Sequence, residues 1–194
     1  MKKSRILVIV AHPDDEILGC GGSIIKLAKS SLIKTLFTCK THDKRNNTKY
    51  SVNNQKRQII AKKVAKYLKI KKPIFLDYPG LKMNRNDITK MAKSIYDQIL
   101  KFKPDIIFSH CIDDNHHDHR VTAEAVFIAT RPSPKIQFIK KIFSMEIPSA
   151  SEKLFSRTKS FKPNYFVDIK TSYKIDDMNS ILHLLPIYQK KVYQ

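Results

Sequence analysis

An imidazole and three carboxylates stand together directly after an apolar run near the start of the chain. Residues 6–11 read ILVIVA, and residues 12–16, which follow them, read HPDDE. A second polar segment, residues 113–120, reads DDNHHDHR. Imidazole nitrogens and carboxylate oxygens bind divalent metal ions, and a nitrogen-rich set favours zinc. If the fold brings the two segments together, they predict a zinc site.

The spacing within each segment suggests which residues hold the ion. His12 and Asp15 are three residues apart across a turn at Pro13, so both can point at one metal. A catalytic zinc has three protein ligands and one open position, and His119, beside the start of a predicted helix, can complete the set. Asp14 then lies beside the metal, where it can take the proton of the attacking water.

His116 and Asp118 belong to the same predicted site. His116 precedes His119 by about one helical turn, so its imidazole faces the same space. Asp118 is close enough in sequence to fix the tautomer of His116 and to raise the pKa of that imidazole through its charge. We therefore expect His116 to act in its protonated form.

Several residues of the two segments also fit a purely structural role. Asp14 or Asp15 could cap the following helix, a common role for Asp after a strand. His110, at a strand end, is more often a core histidine or a support for a ligand than a ligand itself. Asp113 and Asp114 could end the strand or hold ligands from behind. Metal binding is favoured over these structural roles if the fold brings both polar segments to the same edge of the sheet.

Alternating strand and helix patterns place both segments at one edge of a sheet. The expected strands are 6–10, 33–39, 74–77, 106–109, 141–145 and 165–169; the expected helices are 16–29, 55–68, 87–102 (capped by Asn86 or Asp87), 121–129 and 172–188. This order predicts an α/β fold, a Rossmann-like three-layer sandwich with a mainly parallel sheet. Ligands bind beyond the carboxyl ends of such strands. Both segments fall there, which favours the metal site.

Length and cysteine content favour one cytoplasmic domain. The chain has 194 residues, 42% of them hydrophobic, which suits a single domain over 1–194. The first residues, MKKSRILVIVA, resemble a signal peptide, but the apolar run is short and acids follow it. Three scattered cysteines are too few for a disulfide framework or a thiolate zinc site. We expect a reduced compartment.

The net charge of +20 suggests nucleic acid or an anionic membrane as a partner. The lysines responsible are spread over the whole length, however, and the aromatic residues do not alternate with a basic stripe. No specific nucleic-acid partner is therefore expected. A basic nucleic-acid-binding domain with a structural metal remains the alternative from another class.

Two stretches resemble a known family. AHPDDEILGCGG, residues 11–22, closely resembles the first signature of the PIG-L/LmbE-like deacetylases, and NHHDHR, residues 115–120, resembles their second. Weaker similarity extends to Arg57, to PDIIFSH at 104–110 and to FKPNYFVDI at 161–169, so it covers most of the chain. The resemblance implies the deacetylase fold of that family and a zinc-dependent hydrolase that removes acetyl groups from N-acetylglucosaminyl compounds and related amides.

The resemblance also implies roles for individual residues. It assigns one zinc ion per chain to His12, Asp15 and His119 and the general base to Asp14, in agreement with their spacing. It places His116, paired with Asp118, on the oxyanion or leaving-group side. It makes Arg57 a contact of the substrate.

The chain departs from the family pattern in places that bear on specificity. Ile60 replaces the glutamate usual three residues after Arg57, His117 stands where relatives have proline, and Gly80 replaces the aspartate that usually follows Pro79. The sequence stops soon after Tyr188, so we expect it to lack the C-terminal extension of longer relatives.

The expected activity is zinc-dependent N-deacetylation of an acetylated amino sugar or glycoconjugate, either a small molecule or lipid-linked. A metal-dependent amidase acting on another sugar conjugate is the nearest alternative. The sequence leaves open whether the protein forms homo-oligomers.

Overall fold

Five parallel strands form the centre of the computed structural model, which describes residues 3–40, 54–148 and 161–170. The strands are β1 (Ser4–Val10), β2 (Ser31–Lys40), β3 (Lys71–Pro79), β4 (Ile106–His110) and β5 (Lys141–Met145). The helices are α1 (Asp15–Ala28), α2 (Asn54–Tyr67), α3 (Arg85–Phe102) and α4 (His117–Ala129), with a 3-10 turn at Pro134–Ile136. Within the described residues, no helix combines the length and the apolar character needed to span a bilayer.

The central strand β1 is apolar along its length because both faces of the sheet are covered. Leu7 and Ile9 belong to one core cluster, which includes residues of α3 and α4. Ile6, Val8 and Val10 belong to the other, which includes residues of α1 and α2. A strand buried on both sides gives a continuous hydrophobic run instead of an alternating one. The expected α/β sandwich with a parallel sheet is confirmed.

The order of the strands determines where a ligand can bind. The sheet runs β3-β2-β1-β4-β5, so β1 pairs with β2 on one side and with β4 on the other. The connections that leave β1 and β4 therefore diverge, and a crevice opens between them at the carboxyl ends of the strands. The two polar segments follow these two strands.

Two helices begin earlier than the sequence pattern suggests. The cap of α3 is Asn84, not Asn86 or Asp87: its side chain accepts a hydrogen bond from the Asp87 amide, and the Asp87 carboxylate accepts one from the Asn84 amide. Helix α4 begins at His117, four residues before Val121, because the His116 side chain caps it. Capping by side chains, not apolar spacing, sets these starts.

The expected strand at 165–169 is wrong. Residues 161–169 form neither strand nor helix, and they contact the rest of the domain through side chains and single hydrogen bonds. Tyr165 packs on Phe143 with ring centroids 4.6 Å apart, and the Lys26 ammonium donates to the Asp168 carbonyl at 2.6 Å. The expected helix 172–188 lies outside the described residues.

Replacing Asn84 by alanine should lower the free energy of unfolding by about 1 kcal/mol, since the Asp87 amide in the first turn of α3 loses the side-chain oxygen that caps it. Asn86→Ala, inside the same turn, is the matched control and should change it by less than about 0.5 kcal/mol. Urea unfolding of both variants measures the difference. Equal losses would show that Asn84 does not cap the helix.

Candidate metal centre

The carboxylate of Asp15 lies at the centre of the crevice. Asp15 is the first residue of α1 and is 3% exposed. Its Oδ2 atom is 3.5 Å from His12 Nδ1, and its Oδ1 atom is 3.3 Å from His119 Nε2. The His12 amide also donates to Oδ2 at 2.7 Å. The three residues predicted as metal ligands therefore meet at one point, although they come from two segments about a hundred residues apart.

Two groups of possible metal donors overlap at this point. In the part of the chain that the structure describes, the ligand atoms of His12, His116 and His119 lie within 4.8 Å of one another, and so do those of Asp15, His110 and His119. Because His119 belongs to both groups, we treat the five residues as one cluster, the metal cluster. Its nitrogen-rich donor set fits zinc.

His110 supports this cluster from behind. Its Nε2 atom accepts a hydrogen bond from the Ala11 amide at 2.9 Å, so that lone pair is not available to a metal. Its ring stacks on His119 with centroids 4.0 Å apart and an interplanar angle of 5°. The supporting role that the sequence left open for His110 is the one that its contacts favour.

Carboxylates hold the outer nitrogens of two other imidazoles. Asp114 Oδ2 accepts from His119 Nδ1 at 3.0 Å, and Asp118 Oδ2 accepts from His12 Nε2 at 3.0 Å. A carboxylate in this position fixes the tautomer of a metal-binding histidine and raises its basicity. His119 is thus oriented to offer Nε2 to a metal, and His12 to offer Nδ1.

The expected pairing of His116 with the Asp118 carboxylate needs correction. The Asp118 carboxylate lies against His12 instead, and only the Asp118 amide contacts His116, donating to its Nδ1 atom at 3.2 Å. Burial and the positive charges of His119 and His12 lower the pKa of His116 to about 4 and outweigh the attraction of Asp118. This low pKa favours a neutral His116 over the protonated imidazole that the sequence suggested, and the bond from the Asp118 amide to Nδ1 places the proton of the neutral ring on Nε2.

Asp14 occupies the N-cap position of α1 but does not act as a cap. Its side chain makes no capping hydrogen bond, and its φ of 143° is one that residues other than glycine rarely adopt. The Oδ2 atom instead lies 3.4 Å from Arg57 Nη1. Burial and the charge of Asp15 raise the pKa of Asp14 to about 7, although Arg57 opposes the shift. A carboxyl group with this pKa suits general base catalysis near neutral pH.

Arg57 and Glu16 are the two charged residues that contact Asp14. Arg57 lies in the first turn of α2, and its Nε atom is buried without a hydrogen-bond partner among the described residues. Glu16 accepts a hydrogen bond from the Asp14 amide at 3.0 Å and, as expected, lies in the first turn of α1. The structure thus brings Arg57 to the site, and its contact with a substrate stays a prediction.

Neighbouring carboxylates favour the protonated forms of His12 and His119. Burial opposes the charged form of His12, but hydrogen bonds to Asp118 and Asp15 outweigh it and raise its pKa to about 9. Burial also opposes the charge of His119, and bonds to Asp114 and Asp15 raise its pKa to about 10. A metal ion would replace these protons as the positive charge beside Asp15.

A sequence model of the PIG-L family, described as GlcNAc-PI de-N-acetylase, matches residues 7–130, a range that contains both polar segments. The uncharacterized deacetylase YaiS of Escherichia coli strain K12 is 25% identical over 176 residues, which cover 89% of this chain and 85% of YaiS.

Solved deacetylases have the same fold. The A40926 pseudoaglycone deacetylase Dbv21 superposes with a TM-score of 0.70 at 16% identity, covering 98% of this chain and 86% of Dbv21. The N,N'-diacetylchitobiose deacetylase of Pyrococcus horikoshii superposes with a TM-score of 0.64 at 22% identity, covering 96% of this chain and 70% of that enzyme. At these identities the likeness is one of fold.

His119→Ala should reduce bound zinc from roughly one ion per chain to a small fraction of that, because it removes one of three expected ligands. His117→Ala is the matched control, since His117 lies in the same turn outside the metal cluster. Elemental analysis after gel filtration measures both. Unchanged zinc in His119→Ala would remove this residue from the ligand set.

Proposed function

The chain belongs to the PIG-L family, and on that premise we propose that it is a zinc-dependent hydrolase that removes the N-acetyl group from an amino sugar or glycoconjugate. The observation that carries the proposal is a partly buried carboxyl group, Asp14, directly beside a cluster of metal donors centred on Asp15. The names of the three similar proteins described above support it, since each is called a deacetylase and one is an N,N'-diacetylchitobiose deacetylase.

His12, Asp15 and His119 would hold the zinc ion, through Nδ1, the carboxylate and Nε2 respectively. When bound, zinc supplies Lewis acidity toward a carbonyl oxygen and toward water. Asp15 contributes negative charge to this set, and burial of all three side chains excludes competing water.

Asp14 serves as the general base and then as the general acid. Its carboxylate accepts the proton of the water that attacks the acetyl carbonyl, and it later returns that proton to the leaving amine as acetate forms. Arg57, 3.4 Å from the Asp14 carboxylate, holds this group on the substrate side of the crevice. A single carboxyl group can thus carry the proton through both steps.

Neutral His116 donates a hydrogen bond to the developing oxyanion. Because its Nδ1 atom accepts the Asp118 amide, the proton of the neutral ring is on Nε2, which is free to face the reacting carbonyl. This assignment replaces the expected protonated imidazole and requires no positive charge. Loss of one such donor typically costs about a hundredfold or more in rate.

Arg57 is proposed to bind a polar group of the substrate on the α2 side. Its guanidinium reaches the crevice but leaves the buried Nε atom without a partner in the described part of the chain. The Nη1 atom lies beside the Asp14 carboxylate in the crevice, and this end of the guanidinium is the part proposed to contact a substrate oxygen.

All three cysteines are free thiols, which supports a reduced, cytoplasmic compartment.

Two alternative functions differ in how well the site supports them. A related amidase would keep the same residues and differ only in the acyl group or sugar that it accepts. The nucleic-acid alternative has no support from the site, where buried carboxylates would repel phosphate.

Acetate release tests the proposed reaction. The zinc-loaded protein is incubated with N-acetylated sugars, nucleotide sugars and lipid-linked sugars, and released acetate is measured. Release from at least one of these classes supports N-deacetylation. Cleavage of another amide without acetate release would favour the amidase. No hydrolysis, together with DNA binding that weakens steeply with salt, would favour a nucleic-acid-binding domain.

Asp14→Asn should retain zinc and lose roughly a hundredfold or more of the turnover, since the amide keeps the shape of the side chain but cannot accept the proton. Asp113→Asn is the matched control, because Asp113 is an exposed carboxylate that follows β4. Zinc content and the initial rate of acetate release are measured on both. Loss of zinc along with activity would make Asp14 a ligand instead of the base.

A further inference from the structure

We propose that the turn at Gly80 and Leu81, between β3 and α3, positions His12 for metal binding through the carboxylate of Asp118. The proposal rests on the metal site of the proposed function and adds a positioning chain behind it. Asp118 then acts on a metal ligand, whereas the sequence assigned it to His116.

Both oxygens of Asp118 have a partner from a different part of the chain. Oδ1 accepts a hydrogen bond from the Leu81 amide at 2.7 Å. Oδ2 accepts one from His12 Nε2 at 3.0 Å. The side chain is 2% exposed, so water does not compete for either oxygen. The carboxylate therefore joins the end of β3 to the loop that follows β1.

Gly80 provides the space that this carboxylate occupies. A Cβ atom at position 80 would lie 2.7 Å from Asp118 Oδ2 and 2.7 Å from the Lys40 carbonyl oxygen, closer than real Cβ contacts. Gly80 does not have a positive φ, so its backbone alone would accept an alanine. The requirement at this position is one of space: the backbone of Lys40 blocks one side, and the carboxylate fills the other.

The backbone of Leu81 is arranged to point its amide at Asp118. Leu81 has a φ of 60°, in the left-handed region that costs a residue with a Cβ atom free energy. The amide in turn makes the shortest of the hydrogen bonds to Asp118. The hydrogen bond from the Leu81 amide to the Asp118 carboxylate therefore helps to stabilise the strained backbone of Leu81.

The consequence for His12 is a defined metal-binding atom. With Nε2 held by Asp118, the ring presents Nδ1 to Asp15 at 3.5 Å. If the carboxylate moves, the ring loses the contact that fixes its rotation, and the geometry of the ligand set is lost with it.

The test uses the metal-loaded protein and no substrate. With ¹¹³Cd as the probe and ¹⁵N-labelled histidine, we expect the Nδ1 atom of His12 to couple to the metal and its Nε2 atom to carry the proton. Coupling through Nε2, with the proton on Nδ1, would overturn the proposal whatever the enzyme hydrolyses.

Two variants test the chain behind His12. Gly80→Ala pushes the carboxylate away, and Asp118→Asn leaves only one acceptor oxygen for two donors, so each should weaken zinc binding by about ten- to a hundredfold in competition with a chelator. Gly22→Ala is the control for an added methyl group: its Cβ atom would meet the flexible end of Ile169 at 2.7 Å and not Asp118, so zinc affinity should not change.

Unchanged zinc affinity in folded Gly80→Ala and Asp118→Asn would refute the positioning chain. If Gly80→Ala does not fold, Asp118→Asn and the nitrogen assignment in the unmodified protein decide the question. Failure of the proposed function gives a different result, namely the expected His12 coupling with no acetate released from any N-acetylated compound.

Discussion

The burial of the Asp15 carboxylate is the constraint on which the rest of the site depends. A carboxylate that is 3% exposed is costly unless it is paired, and here the imidazoles of His12 and His119 approach it within 3.3–3.5 Å. They can do so only because β4 lies next to β1 in the sheet, which brings the two polar segments to one crevice. The pairing of the buried Asp15 carboxylate therefore requires this strand order.

The imidazoles around Asp15 are oriented by hydrogen bonds to carboxylates and backbone amides. His119 is held by Asp114, His12 by Asp118, His110 by the Ala11 amide, and His116 by the Asp118 amide. In His12, His116 and His119 the contact engages one ring nitrogen and leaves the other to face the metal cluster. Such preorganisation is what a catalytic metal site needs, because ligands that must reorient on binding weaken both affinity and rate.

The spacing of residues within short segments predicted much of this site. The rest depends on contacts between residues that are far apart in sequence. The strands and helices could be predicted from their apolar patterns. The juxtaposition of His12, Asp14 and Asp15 could be predicted because all three belong to one short segment. The partners of the Asp118 carboxylate could not be predicted, because the Leu81 amide and His12 both lie far from it in sequence. The start of α3 was misplaced for a related reason: several polar residues could cap it, and only geometry selects Asn84. Residues 165–169 resemble a strand because the segment is rich in apolar and aromatic residues, but they do not form a strand, and Tyr165 and Phe166 are exposed.

The central claim is that the cluster around Asp15 is a metal centre, and anomalous diffraction from crystals grown with zinc tests it most directly. We predict one strong zinc peak per chain, at about 2.0–2.2 Å from His12 Nδ1, an Asp15 oxygen and His119 Nε2. A peak elsewhere on the chain, or saturating zinc with no peak at these atoms, would contradict the account.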